Sequence, residues 1–222
     1  MEMSSRVSSR SRRPYDASRR QAEARARQRR VVDAARELFL QRGYGPTTIG
    51  DIAEAADVSV PFVYAAFESK AGILSRVVET AITGDEAAPP ILEQPAGRAI
   101  LAEPDLAKRL QTIVRLARLS HQRAASLIQL VESARASDPA LGALAGKIDD
   151  SLRRDTRTFV EALPAKALRR DISRQEAADL LYMLSAARNW TALVEHCGWR
   201  PERYERWMTD TITRLLFRRP PQ

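Results

Sequence analysis

Apolar positions recur along this chain at three- and four-residue spacing, and the breaks between runs fall at Pro, Gly and capping residues. That period predicts helices throughout and no strands. From about Ser18 to Gln41, the residues Val31, Ala34, Ala35, Leu38 and Phe39 share one face, arginines fill the others, and Gly43 is placed to end the helix. Tyr44-Gly45-Pro46-Thr47 then reads as a turn. Thr48, with Asp51 three residues on, has the pattern of a capping box and opens a short second helix carrying Ile52, Ala53 and Ala56. After Asp57-Val58, Ser59 caps a third helix that tolerates Pro61 in its first turn and turns Val63 and Phe67 inward. Ser69 caps a fourth, with Ile73, Leu74, Val77 and Val78 on its face and Gly84 at its end.

Residues 84–104 hold Pro89, Pro90, Pro95 and Pro104 among acids, so a linker is expected there. Helical spacing resumes at Leu106, Leu110, Ile113, Val114 and Ala117 and continues through Leu127, Ile128, Leu130 and Val131. Asp138-Pro139 supplies a stop and a fresh start, followed by Leu141, Leu144, Ile148, Leu152, Phe159 and Val160. Beyond Pro164, Ser173 and Glu176 form a second capping box, opening a helix expected to run to about His196. Leu180, Leu181, Met183, Leu184, Ala187, Trp190, Leu193 and Val194 make it apolar nearly all round, so it must be covered on several sides. Pro201 begins the last helix, striped by Tyr204, Trp207, Met208, Ile212, Leu215 and Leu216.

Composition agrees with an all-α protein: 44% of the 222 residues are apolar, and 12 Pro and 9 Gly suffice for helix boundaries. The net charge of +8 is concentrated, since residues 1–30 hold ten arginines against Glu2, Asp16 and Glu23. Such a segment suits a polyanionic partner, nucleic acid or an anionic membrane surface. For Arg6, Arg10, Arg12 and Arg13 a merely solvated arm serves equally well. Cys197 is the single cysteine, which excludes an internal disulfide and a Cys-rich metal site. With no secretory h-region and no apolar run of membrane-spanning length, a cytoplasmic location and no membrane partner are expected.

The pair of short helices at Thr48–Ala56 and Val60–Phe67 fits helix-turn-helix geometry, whose second helix enters the major groove. Ala53 is small where the helices must approach, Ile52, Val58 and Val63 form the wedge, and Asp57 stands at the turn, where a left-handed conformation is needed. The ordered string Leu38-Phe39, Gly43-Tyr44, Thr47-Thr48, Ile52-Ala53, Ala56-Asp57-Val58-Ser59, Val63-Tyr64, Phe67 and Ser69-Lys70 resembles the N-terminal domain of TetR-family regulators over roughly residues 28–78. The resemblance implies an N-terminal three-helix helix-turn-helix DNA-binding domain followed by a C-terminal helical ligand-binding and dimerisation domain. The organisation it suggests is a basic arm (1–20), the DNA-binding domain (21–83), a linker (84–104), the effector and dimer domain (105–217) and a tail (218–222).

Carried onto this sequence, the family pattern makes Thr48, Tyr64 and Lys70 phosphate contacts and sets Ser59, Val60, Pro61 and Phe62 at the exposed start of the recognition helix. Simple core packing remains an alternative for Tyr64. Arg19, Arg20, Arg25, Arg27, Arg29 and Arg30, which precede or open the first helix, could reach adjacent phosphates or a minor groove. Where the family often has an acid after Ser-Lys, Ala71-Gly72 stands here, so the fourth helix is expected to begin less firmly. An effector pocket among the C-terminal helices would draw on the polar and aromatic residues His121, Arg154, Tyr182, Asn189, Trp190 and His196. A homodimer interface on the last two helices would draw on Leu184, Trp207, Ile212 and Leu215.

The function implied is a sequence-specific regulator, a repressor on an inverted-repeat operator released by a small-molecule effector. The alternative is a helical ligand-binding protein or enzyme that kept the fold and lost DNA recognition. No phosphate loop, nucleophile elbow or paired metal-ligand motif occurs, so no enzymatic activity, cofactor or metal is expected.

Overall fold

The computed structural model describes residues 17–84, 91–136, 138–164 and 166–218. The arm residues Arg6, Arg10, Arg12 and Arg13 and most of the expected tail lie outside them. Among the described residues the chain is helical, with one isolated antiparallel bridge between Leu168 and Phe217. The helices are α1 (Ala17–Arg42), α2 (Ile49–Ala55), α3 (Val60–Phe67), α4 (Lys70–Thr83), α5 (Pro95–Ala102), α6 (Leu106–Ala134), α7 (Pro139–Glu161), α8 (Arg174–Leu184), α9 (Ala187–Trp190) and α10 (Pro201–Leu216).

The helix starts follow from side chains that take up otherwise unpaired N–H groups. Thr48 and Asp51 form a reciprocal capping box at α2, and Ser173 and Glu176 form another at α8. Ser59, Ser69, Asp105 and Asp138 each accept a backbone N–H at the starts of α3, α4, α6 and α7.

Three stretches differ from the expectations. The expected linker contains a helix, because Pro95 sets its first turn and buried Ile100 anchors it under α6. A short 3-10 turn at Ile91–Glu93 lies against α5 so closely that a Cβ on Gly97 would stand 2.1 Å from Ile91 O. The helix expected to run unbroken to His196 stops at Leu184 instead: Ala186 is extended, and a π-helical turn follows at Thr191–His196. Freed carbonyls there find side chains, Asn189 Nδ2 donating to Met183 O (2.9 Å) and Leu184 O (3.0 Å). Finally, α4 begins firmly: Ser69 Oγ accepts from Gly72 N at 3.0 Å, and a Cβ at residue 72 would sit 2.1 Å from Phe67 O. Residue 72 thus has no room for a side chain in the tight α3–α4 turn, which bends at Glu68 with φ +64°.

Two cores hold the helices together. The first gathers Val31, Phe39, Ile52, Val63, Ile73 and Leu74 from α1–α4, but also Leu127 and Val131 of α6 and Leu141 and Leu144 of α7. The DNA-binding domain suggested by the sequence therefore shares its core with the helices that follow. The second comprises the first half of α6, the end of α7 and α8–α10, with Phe159, Leu181, Tyr204, Met208 and Leu216 buried.

Candidate nucleic-acid interface and effector cavity

Helices α2 and α3 meet through buried Ile52, Ala53 and Val63, and Asp57 adopts φ +52° at the turn, the left-handed geometry its position demanded. Burying Val63 and Phe67 turns Ser59, Val60, Pro61 and Tyr64 outward, with Val60 39% and Tyr64 52% exposed. Tyr64 is therefore a surface residue and not a core one. Phe62 is only half free, since its ring packs against the first core and Arg27 lies over it at 5.9 Å. Thr48, exposed at the start of α2, exchanges hydrogen bonds with Asp51, its Oγ1 donating to Oδ2 at 2.7 Å and accepting from Asp51 N at 3.1 Å.

Two expected phosphate contacts have other partners. Lys70 directs its ammonium inward, donating to Tyr44 O (2.8 Å), Thr47 O (2.9 Å) and Gly45 O (3.2 Å), 4.3 Å from the centre of the Tyr44 ring. It ties the start of α4 to the α1–α2 turn. Arg30 likewise closes the end of α2, its guanidinium donating to Ala56 O at 2.9 Å and Asp57 O at 3.1 Å. Arg29 remains on the exposed surface of α1. The same turn reaches the C-terminal helices, because Tyr44 Oη donates to the capping carboxylate Asp138 at 2.9 Å. Burial, then the bond to Asp138, pushes the Tyr44 phenol up.

Helices α6–α10, with Ile82 of α4 and the turn at Ile91–Glu93, line an open-mouthed cavity of about 690 Å³. Its apolar walls include Ile113, Leu116, Ile148, Leu152, Phe159 and Met208. Of the expected pocket residues it takes His121 and Tyr182. Arg154 and His196 point to solvent, Asn189 caps the α8 break, and Trp190 is buried behind His121 in a ring cluster with Tyr204. Burial pulls the His121 imidazole down to about 4, so it is neutral: Nε2 donates to Ser185 O at 3.0 Å, and Nδ1 faces Tyr204 Oη at 3.3 Å. Sequence reasoning missed Asp155, Asp149 and Ser120, which also line the cavity. Their i, i+3 and i, i+4 relation to Leu152, Phe159, Leu116 and Ala124 was the available signal.

On the expected dimer face, Leu184 and Ile212 are 5% and 1% exposed, consumed by the chain's own second core. Trp207 and Leu215 are only partly covered, and Met183, 44% exposed, joins them as apolar surface. Among the described residues no helix is long and apolar enough to cross a membrane, and no cluster of His, Cys, Asp and Glu is arranged for a metal ion.

Comparison with known proteins agrees with this geometry. Residues 31–77 match the family model described as bacterial regulatory proteins, tetR family. A segment of 59 residues is 37% identical to the HTH-type transcriptional repressor BdcR of Escherichia coli strain K12, covering 27% of this chain and 29% of that protein. A TetR-family transcriptional regulator structure from Mesorhizobium loti superposes with a TM-score of 0.65 at 20% identity, covering 87% of this chain and 98% of that one. NalD of Pseudomonas aeruginosa, the secondary repressor of the MexAB-OprM multidrug efflux pump, does so with a TM-score of 0.64 at 17% identity, over 88% and 98% of the two chains.

Proposed function

We propose, for a chain whose residues 31–77 match the tetR family of bacterial regulatory proteins, that it is a cytoplasmic transcriptional repressor without enzymatic activity. It binds an inverted-repeat operator as a homodimer and is released when a small molecule occupies the C-terminal cavity. The observation that carries the reading is the capped, outward-facing α3, with Ser59, Val60, Pro61 and Tyr64 exposed among the described residues and so able to meet a duplex.

Readout by that surface is mainly apolar, because Val60 and Pro61 offer no bidentate hydrogen bond to a base. Thymine methyls are the complementary feature, with Tyr64 and Thr48 contacting phosphates to set the register. Phe62, half-buried under Arg27, supports α3 more than it reads bases.

Release is supported by the bonds between cavity and DNA-binding domain. Ile82 and Ser120 both line the cavity, and Ser120 Oγ donates to Ile82 O at 3.2 Å, while Arg123 Nε donates to Ala81 O at 3.0 Å. A ligand that shifts α6 therefore pulls on the end of α4, whose other end carries Lys70 and the α1–α2 turn. Selecting duplexes from a random pool with the full chain tests the reading. One short inverted repeat with thymines in each half-site is the expected product, and substituting uracil for one of them should cost on the order of 1 kcal/mol, the scale of a buried methyl. A pool that remains unenriched would favour a helical ligand-binding protein without an operator.

A further inference from the structure

We infer that the C-terminal cavity takes an organic cation with an apolar body, its ammonium seated against Asp155. The inference rests on reading that cavity as the effector site.

The argument begins from which charges around the cavity are already answered. Arg135 donates to Glu132 at 2.9 Å, so these two neutralise each other. Asp149 accepts from Tyr182 Oη and from Arg153 Nε, the latter at 2.8 Å. His121 is uncharged, with both ring nitrogens occupied. Arg188 is exposed at the rim, near Asp149 and Tyr182. Among the carboxylates that line the cavity, Asp155 differs from Glu132 and Asp149. It lines the cavity half-buried, and among the described residues it has no hydrogen bond or ion pair; its charged neighbours are Arg154, exposed on the same helix, and Glu93.

An unpaired carboxylate against an apolar wall is costly unless a cation answers it. Burial, the largest cause, pushes Asp155 up to about 6, which still leaves it ionised at neutral pH. An ammonium on an apolar scaffold supplies the missing charge, while its body fills a space of about 690 Å³ between Ile113, Leu152 and Met208. Phe159 also lines this space and adds aromatic surface, which a weakly hydrated quaternary ammonium favours; the Tyr182 ring is already covered by the Arg153 guanidinium at 4.1 Å. An anion would have to enter against the field of Asp155.

Three probes with one decyl chain and different heads, trimethylammonium, carboxylate and hydroxyl, test the inference by calorimetric titration of the full chain. The expected order places the cation at least about tenfold tighter than either of the others, the scale of a partly desolvated ion pair. Asp155→Asn should erase the cation's advantage and leave the alcohol unchanged, whereas Asp155→Glu should keep most of it; thermal melts verify that both variants fold. The cation's affinity should also fall by about tenfold between pH 7.5 and pH 5 as Asp155 protonates, and this fall should vanish in Asp155→Asn. A carboxylate that binds tightest, or three heads that bind alike, would overturn the inference while leaving the cavity as an effector site. Failure of all three probes to bind would overturn both.

Discussion

Replacing Lys70 by Met keeps the length of the stem and removes the ammonium, and the structure assigns that ammonium to the fold. Two of its three acceptors, Tyr44 O and Thr47 O, are joined to it by half-buried bonds, whereas Gly45 O is open to water that can substitute. A hydrogen bond from a charged donor contributes about 1.5 kcal/mol or more, and loss of the contact over the Tyr44 ring adds about 0.5. Unfolding free energy should therefore fall by roughly 3 kcal/mol. For a chain of 222 residues that corresponds to a melting point lower by roughly 6–12 °C. Urea melts at matched protomer concentration measure the first quantity and calorimetry the second. Salt titrations of operator binding supply the decisive contrast. A phosphate contact at Lys70 would leave stability nearly untouched and reduce the slope of log K against log salt by about 0.9. Unchanged melts together with that smaller slope would refute the assignment.

Gly72→Ala places a Cβ 2.1 Å from Phe67 O and should destabilise the chain by about 2 kcal/mol or more in urea; a loss below about 0.5 would mean that the α3–α4 turn relaxes freely. Because burial raises the folded-state value of Asp155 from 3.8 to about 6, its contribution to stability is full below 3.8 and is lost as pH rises through 6. Asp155→Asn should accordingly be more stable than the parent at pH 7.5, by about 1 kcal/mol after allowance for solvent screening, with the difference gone by pH 4; a variant less stable at pH 7.5 would contradict this. Trp207→Glu combined with Leu215→Glu should give monomers in sedimentation and much weaker operator binding, and an intact dimer would move the interface elsewhere.

The fold was legible wherever a local rule acts alone. Thr48 with Asp51, Ser173 with Glu176, and Asp138 before Pro139 announce their helix starts because caps bind within three residues. Asp57 announced the helix-turn-helix bend by the same logic. What could not be read were the partners that close across long sequence separations. Arg30 lies in the basic segment and suits a polyanion, yet it closes the end of α2; farther along, Arg109 holds Glu103 O and Ala162 O, and Arg123 holds the last turn of α4. Lys70 is the same case. The α8 break was hidden for a related reason: the apolar period continues through Ser185 and Ala186, and only the carbonyl-binding Asn189 and His121 make the interruption affordable. Leu184 and Ile212 had the right faces for a dimer, but periodicity does not distinguish a chain's own core from a partner's.

Sequence-specific binding is the central claim, and its most direct measurement is an equilibrium titration of the full chain with the selected inverted repeat and with a scrambled duplex of equal length and composition, both at physiological salt. The account predicts that the repeat binds at least about 10³-fold tighter than the scramble, the lower end for specific regulators, and that Val60→Asp with Tyr64→Ala collapses this ratio without unfolding the protein. Affinities for the two duplexes within about tenfold of each other, or a ratio indifferent to those substitutions on α3, would contradict it.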